Sequence, residues 1–160
     1  MKKTLHVSSA QNLERSLWYG PNLLTIIAYA SETNGAFSLV KNVIRKGFEP
    51  PLHVHTREDE SNFILYGEII YTVGEKTIHA KAGDYVHLPK NVPHTFKLVS
   101  DTAETLLVIT PGGFEEMFVQ CSRPAAAVEL PPIGEPLTKE FFEKTKHVSE
   151  SLGATILPSF

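Results

Sequence analysis

The sequence is poor in several features that mark particular classes of protein. It has one cysteine, Cys121, in 160 residues, so no internal disulfide can form and a reducing compartment is expected. Lys and Arg number 15 against 18 Asp and Glu, a formal net charge of -3, which provides no basic field for a nucleic acid backbone. No segment approaches the roughly 18 consecutive apolar residues of a membrane span. We therefore expect a cytoplasmic protein with a small-molecule partner, without nucleic acid or membrane partners.

Between residues 23 and 110 the chain contains a series of short segments with the composition of β-strands. Runs rich in β-branched and aromatic residues alternate with turn residues, a spacing typical of an all-β barrel or sandwich. The predicted strands cover 23–30, 37–44, 62–73, 77–80, 84–89, 94–99 and 105–110.

After residue 110 the character of the sequence changes. Residues 111–120 predict a short helix, and the four prolines between 124 and 136 predict an irregular arm. Thr138 is a plausible N-cap of a final helix, and Gly153 its end. We therefore predict a β-barrel over residues 1–121 and an appendage over 122–160, which is too small to be a second domain.

The segment HVHTREDE, residues 53–60, concentrates potential metal ligands. His53 and His55 are two residues apart and point to the same face of a strand. Glu60 has the wrong parity to join them unless residues 56–59 bend and Glu60 opens the next strand. The best candidate for a fourth ligand is His94, which opens another predicted strand. Three imidazoles and one carboxylate suit a divalent transition metal with one or two open coordination positions.

Other interpretations of these polar residues are possible. A lone pair of histidines two apart is more often a surface strand pair than a metal site. The remaining charged residues of the segment are interpreted as solvated: Arg57, Glu58 and Asp59. The other four histidines are interpreted as lying outside the site: His6, His79, His87 and His147.

The longer pattern resembles the cupin superfamily. Every fixed position of that family's first motif is present within residues 47–67: Gly47, His53, His55, Glu60 and Gly67. The second motif, residues 83–98, has three of its residues in register: Gly83, Pro89 and His94. Asn91 stands where the family has glycine, and Leu98 where it has asparagine. The flanking segments 32–40 and 110–118 resemble small single-barrel cupins related to quercetin 2,3-dioxygenase.

The resemblance implies a double-stranded β-helix (a jelly-roll barrel), here with a short C-terminal helical appendage. It also implies that one divalent ion (Fe, Mn, Ni or Zn) is held by four side chains: His53, His55, Glu60 and His94. The leading expectation is a dioxygenase-type oxidoreductase that acts on a small enolic or phenolic compound, with Glu60 as general base. A metal-assisted isomerase, lyase or hydrolase that uses no oxygen stays open, as does a binding module without chemistry.

Four residues are candidates for substrate contact: Phe63, Tyr71, Phe96 and Leu98. Leu98 is four residues after His94 and shares its strand face, so it should make the interior more apolar. Aromatic residues in a barrel are most often core, which is the alternative for the other three. We expect an apolar interior with few Lys or Arg side chains.

The assembly expected from the sequence is a homodimer. A barrel of this size leaves sheet edges and outer faces that one chain cannot cover. The N-terminal segment or the arm at 122–137 is expected to cross to the partner.

Overall fold

The protein is built from two β-sheets, as seen in a computed structural model that describes residues 7–134 and 136–158. The strands are β1 (Ser16–Tyr19), β2 (Asn22–Ala28), β3 (Ser38–Arg45), β4 (His53–His55), β5 (Asp59–Tyr66), β6 (Glu68–Val73), β7 (Lys76–Lys81), β8 (Tyr85–Leu88), β9 (His94–Leu98), β10 (Thr102–Thr110), β11 (Arg123–Pro124) and β12 (Ala154–Ile156). The helices are α1 (Glu115–Cys121) and α2 (Lys139–Ser151), with 3₁₀ turns at Leu13–Arg15 and Ala30–Glu32.

The order of the strands in the two sheets is that of a jelly roll. One sheet has the order β11-β1-β2-β3-β10-β5-β8 and the other β12-β4-β9-β6-β7. From β3 to β6 the chain passes from one sheet to the other at every connection, and each strand pair is antiparallel. The all-β double-stranded β-helix predicted from the sequence is therefore confirmed.

The core lies between the sheets because the strands alternate in burial with a period of two. Buried and partly exposed residues alternate along β3 and along β10, as expected of strands with one face on a core. One buried cluster joins Ile26 and Ile109 to helix α1 through Phe114. A second cluster surrounds Ile64 and Leu98. The metal ligands predicted from the sequence lie on strands that enclose these two clusters.

The C-terminal appendage is more closely tied to the barrel than the sequence indicated. The Thr138 side chain accepts a hydrogen bond from the Phe141 N–H (3.2 Å), and Gly153 has a φ of +94°, so both predicted helix ends are confirmed. After helix α2, strand β12 pairs with β4. Before the helix, strand β11 pairs with β1. The appendage thus adds one strand to each sheet. Both strands are too short to show a period in the sequence.

The arm before α2 lies against its own chain over the described residues 122–134. The Trp18 indole N–H donates to the Glu129 carbonyl oxygen (2.9 Å), and the Arg45 Nη2 donates to the Pro131 carbonyl oxygen (3.1 Å). The other segment that the sequence analysis expects to cross to a partner chain is the N-terminal one. Its residues 1–6, which include His6, lie outside the described residues. Neither α1 nor α2 is long and apolar enough to cross a membrane.

The turn at Gly67 joins β5 to β6 and admits no side chain. A Cβ atom there would lie 2.6 Å from the Thr102 carbonyl oxygen, and φ is +86°. At Gly83 φ is +94° but a Cβ atom would have no neighbour within 4 Å. A substitution at Gly83 therefore measures the cost of the backbone conformation alone, whereas one at Gly67 adds the cost of a steric clash.

We predict that Gly83→Ala lowers the free energy of unfolding by about 1–2 kcal/mol, the usual cost of a left-handed alanine. Gly67→Ala should lower it by at least about 1 kcal/mol more, because the backbone of β10 must also move. Urea denaturation of both variants measures the difference. Equal losses in the two variants would contradict the steric role of Gly67.

Candidate metal centre

Two consecutive strands bring the first three candidate ligands together. His53 and His55 lie on β4, and the chain then bends at residues 56–57 before β5 begins at Asp59. Glu60 is buried (7% exposed), with its side chain on the inner face of β5. The bend that the sequence required for Glu60 to join the histidines is therefore present.

The fourth candidate ligand, His94, is brought to the same place by strand pairing and by a turn. His53 and His94 are directly paired between β4 and β9. In the preceding turn Asn91 has a φ of +63° and donates its backbone N–H to the His55 carbonyl oxygen (2.7 Å). The inference that asparagine replaces glycine in a turn with positive φ is confirmed. The turn holds the start of β9 against the end of β4.

The four side chains converge on one point. One ligand atom from each of His53, His55, Glu60 and His94 lies within 4.8 Å of the others. Glu60 Oε2 is 3.6 Å from His55 Nε2 and 3.5 Å from His94 Nε2. Ligand atoms bound to one ion at about 2.1 Å are roughly 3.0–3.4 Å apart in octahedral or tetrahedral geometry. The observed separations are close to this range.

Hydrogen bonds on the far side of each ring determine which nitrogen faces that point. His53 Nδ1 donates to the Pro51 carbonyl oxygen (2.8 Å), and His94 Nδ1 donates to the Val92 carbonyl oxygen (3.0 Å). A carbonyl oxygen can only accept, so the hydrogen of each neutral imidazole is on Nδ1. The lone pair of each of these two rings is then on Nε2, the nitrogen on the side of the ring that faces the point shared by the four side chains.

The inward nitrogens show that these residues fit a metal ion. His55 Nε2 and His94 Nε2 are buried, and neither has a hydrogen-bond partner among the described residues. Buried polar atoms without partners are rare and destabilising. A divalent cation accepts the two lone pairs and the Glu60 carboxylate together, which removes that cost. His53, His55, Glu60 and His94 would therefore hold such an ion.

The electrostatics favour the metal-binding protonation state at two of the four ligands, His53 and Glu60. Burial alone would lower the pKa of His55, but the hydrogen bond to Glu58 and the charge of Glu60 outweigh it and raise that pKa. Burial, assisted by the nearby His94, lowers the pKa of His53 to about 4. Burial alone would raise the pKa of Glu60, but the interactions with His94 and His55 outweigh it and lower that pKa to about 2. At neutral pH His53 is therefore neutral and Glu60 is a carboxylate, as metal ligands must be.

Glu58 was interpreted from the sequence as a solvated acidic residue, and this is wrong. Its side chain is 4% exposed, and its carboxylate Oε1 accepts a hydrogen bond from His55 Nδ1. The i,i+3 spacing of the two residues was the available signal. It was weak, because the conformation of the intervening bend is not determined by any local pattern.

The candidate substrate residues fall into two groups. Tyr71 and Leu98 are buried (1% and 4% exposed) and Phe96 is partly buried. The rings of Tyr71 and Phe96 are 5.5 Å apart, and Phe96 and Leu98 share the inner face of β9 with His94. Burial raises the pKa of Tyr71, and the charge of Glu60 contributes to the rise. These three side chains belong to the barrel interior around the ligands.

Phe63 lies elsewhere, which corrects its assignment to the substrate pocket. It is 41% exposed, between the buried Asn62 and Ile64. Phe63 is three residues from Glu60 on one continuous strand, and an odd separation places two side chains on opposite faces. The spacing already contained this information.

The interior contains few charged side chains other than the ligands. Lys41 alternates with the buried residues of β3 and pairs with Glu104 (3.0 Å), and Lys97 is exposed between Phe96 and Leu98. Both lysines therefore lie on outer faces. Apart from Glu60, the buried polar residues on the inner face of the larger sheet are uncharged, and they include Asn42, Asn62 and Thr105.

The histidines interpreted as lying outside the site do so where the structure describes them. His79, His87 and His147 are all exposed. His87 Nδ1 lies 3.1 Å from Ser61 Oγ on the outer face of the barrel.

Comparison with known proteins agrees with this geometry. Residues 42–110 match the cupin domain family. Quercetin 2,3-dioxygenase of Bacillus subtilis is 30% identical over 99 residues, which cover 62% of this chain and 29% of that protein. The protein of the same name from Aspergillus japonicus is 34% identical over 71 residues, 41% of this chain and 20% of that protein. The chain thus spans less than a third of the length of these curated relatives.

Solved structures support the fold. An RmlC-like cupin from Shewanella frigidimarina superposes with a TM-score of 0.57 at 19% identity, over 70% of this chain and 96% of that chain. Oxalate decarboxylase from Bacillus subtilis also gives a TM-score of 0.57 at 19% identity, over 68% of this chain and 30% of that chain. At such identities the likeness establishes the architecture alone.

The metal centre predicts a stoichiometry and an order of ligand importance. Protein loaded with a divalent transition metal and then desalted should retain about one ion per chain. His94→Ala and His53→Ala should weaken binding more than Glu60→Ala, because three imidazoles can hold an ion without the carboxylate. Elemental analysis and competition with a chelator measure both quantities. His87→Ala is the control and should bind as the wild type does; failure of the wild type to retain any metal would contradict the site.

Proposed function

Because residues 42–110 form a cupin domain, we propose that the chain is a metal-dependent oxidoreductase of the dioxygenase type, with a small enolic or phenolic substrate. The observation that carries the proposal is the set of three inward histidine Nε2 atoms and one carboxylate converging on one point inside the barrel. The relatives named quercetin 2,3-dioxygenase match the region that contains these residues. Since the chain spans less than a third of those proteins, their activity is transferred here as a proposal.

The proposal requires a metal ion at the point where the four side chains converge. An iron, manganese or nickel ion would supply Lewis-acid and redox chemistry at the positions that the four side chains leave open. His53, His55 and His94 would hold the ion by Nε2, and each ring is fixed from its Nδ1 side. The protein therefore needs little rearrangement to bind it.

Glu60 accepts the proton of the substrate in this mechanism. Its Oε2 is the carboxylate atom nearest to His55 and His94, and its pKa of about 2 keeps it deprotonated. A carboxylate accepts a proton more readily from an acidic hydroxyl group, and coordination to the ion would make such a hydroxyl more acidic still. Enols and phenols have such hydroxyls, whereas the alcohols of sugars do not.

The apolar residues next to the ligands favour a flat substrate. Tyr71 and Phe96 provide neighbouring aromatic rings, and Leu98 replaces a hydrogen-bonding residue of the cupin motif with an aliphatic side chain. An apolar environment excludes water and strengthens electrostatic interactions at the ligands. Both effects suit a poorly solvated aromatic compound rather than a polyol.

An oxygen-dependent assay tests the function. Metal-reconstituted protein should consume oxygen and substrate together when offered a panel of flavonols, catechols and acyclic enols, and neither should be consumed without oxygen. Glu60→Gln should lower turnover by about 100-fold or more while ion binding by the three histidines is retained. Turnover that continues under anaerobic conditions would indicate a metal-assisted isomerase or lyase instead. Binding of a compound without turnover, with any metal, would indicate a binding protein.

We also propose that the chain forms a homodimer through the outer face of β5 and β8. Phe63 and Tyr85 are direct neighbours on these strands and are 41% and 63% exposed, and Leu65, two residues after Phe63 on the same face of β5, is 39% exposed. Strand β8 is an edge of its sheet. Exposed aromatic surface beside a free sheet edge is a common feature of interfaces.

Light scattering at micromolar concentration tests this assembly, and the wild type should have the mass of two chains. Phe63→Ser combined with Tyr85→Ser should give a monomer that still binds metal, because both residues lie outside the barrel. The matched control is Phe142→Ser, an exposed aromatic residue on α2, which should leave the dimer intact. A monomeric wild type would contradict the proposal.

A further inference from the structure

The segment between β4 and β5 contains a buried carboxylate that is not one of the metal ligands. Glu58 is 4% exposed, and its Oε1 accepts from His55 Nδ1. His55 is itself 1% exposed, with its Nε2 directed to Glu60 at 3.6 Å. Glu58 and Glu60 are thus on opposite sides of one imidazole ring.

His55 differs from the other two histidines in the group that fixes its ring. His53 and His94 donate Nδ1–H to backbone carbonyls two residues earlier in the chain. For His55 the acceptor is a side chain, so a single substitution can remove it. The ring of Phe114 also contacts His55, with centroids 4.4 Å apart and planes at 80°. That contact restrains the plane of the imidazole but does not distinguish Nδ1 from Nε2.

The position of Glu58 is itself determined by the C-terminal segment. The Thr56 backbone N–H and hydroxyl both donate to the Gly153 carbonyl oxygen (3.0 and 2.9 Å). The Arg57 side chain lies so close to Gly153 that a Cβ atom there would be 2.9 Å from Arg57 Nε. The bend that presents Glu58 is therefore held in place rather than free in solvent.

A small cavity borders Glu58. It has a volume of about 170 Å³, and its lining includes Arg57, Glu58, Phe114 and Leu152. The cavity is large enough to hold water next to Glu58, and such water would reduce the cost of keeping this side chain buried.

From these contacts we infer that Glu58 is a positioning residue of the metal centre. It holds His55 in the tautomer with hydrogen on Nδ1, so that the Nε2 lone pair is directed to the point shared with His94 and Glu60. The inference rests on one part of the proposed function, the binding of a metal ion by His53, His55, Glu60 and His94. A carboxylate that accepts from a ligating histidine commonly changes metal affinity by 10–100-fold.

The first test measures zinc affinity by competition with a chromophoric chelator. Glu58→Ala should weaken zinc binding by about 10–100-fold. Glu58→Gln should weaken it less, since the amide oxygen accepts the same N–H without the negative charge. Glu104→Gln is the control for the loss of one negative charge: Glu104 pairs with Lys41 on the outer face of the barrel, and this variant should bind as the wild type does.

The second test reads the tautomer directly and does not depend on activity. Long-range ¹H–¹⁵N spectra of histidine-labelled protein, recorded without metal at alkaline pH, should show His55 protonated on Nδ1 in the wild type. In Glu58→Ala the same residue should show a mixture of the two tautomers, while His53 and His94 are unchanged. A purely structural role for Glu58 would lower stability and leave this spectrum unaltered.

The outcomes separate this inference from the proposed function. Wild-type affinity in Glu58→Ala together with an unchanged His55 tautomer would overturn the positioning role and leave the metal site in place. Absence of zinc binding by the wild type would overturn both. If Glu58→Ala does not fold, Glu58→Met decides the question by the same two measurements, because it preserves most of the side-chain volume but has no oxygen to accept the His55 N–H.

Discussion

Three imidazole lone pairs and a carboxylate share one point inside this barrel, and the surrounding structure is arranged to keep them there. Burying His55 Nε2 and His94 Nε2 without partners is costly, and so is burying Glu60. A cation at that point offsets all three costs together. The strands, the turn at Asn91 and the C-terminal segment each restrict the position of one or more of the ligands.

The ligands are held by backbone geometry more than by side-chain packing. Strand β4 is short, and its pairing with β9 is limited to one residue pair, His53 with His94. Its other edge pairs with β12 along its whole length. The C-terminal strand therefore supports the strand that carries two of the four ligands. The segment after helix α2 is thus in direct contact with β4 and with Thr56 in the bend that follows it.

The same arrangement restricts the chemistry. Glu60 is kept deprotonated by the histidines around it, which makes it a good ligand and a weak base. The neighbouring interior is formed by Tyr71, Phe96 and Leu98, while Lys41 and Lys97 lie outside. The proposal of a flat substrate with an acidic hydroxyl group rests on this combination of residues. Phe63 and Tyr85 contribute to the outer surface, where they are available for assembly.

The sequence by itself determined the β-rich architecture, the local group of His53, His55 and Glu60 and the turn at Asn91, because each depends on residues close together in the chain. His94 is distant in the chain, and its resemblance to the second cupin motif identified it. Spacing by two, a glycine at Gly67 and a proline before His94 are local signals. Only the tertiary structure decided that Glu58 is buried against His55, that residues 154–156 form a strand beside the ligands, and that the arm at 122–134 lies on its own barrel. These features depend on which distant segments pair and on how a bend is oriented, and strand register is set by contacts between residues far apart in sequence. Local periodicity does not carry that information.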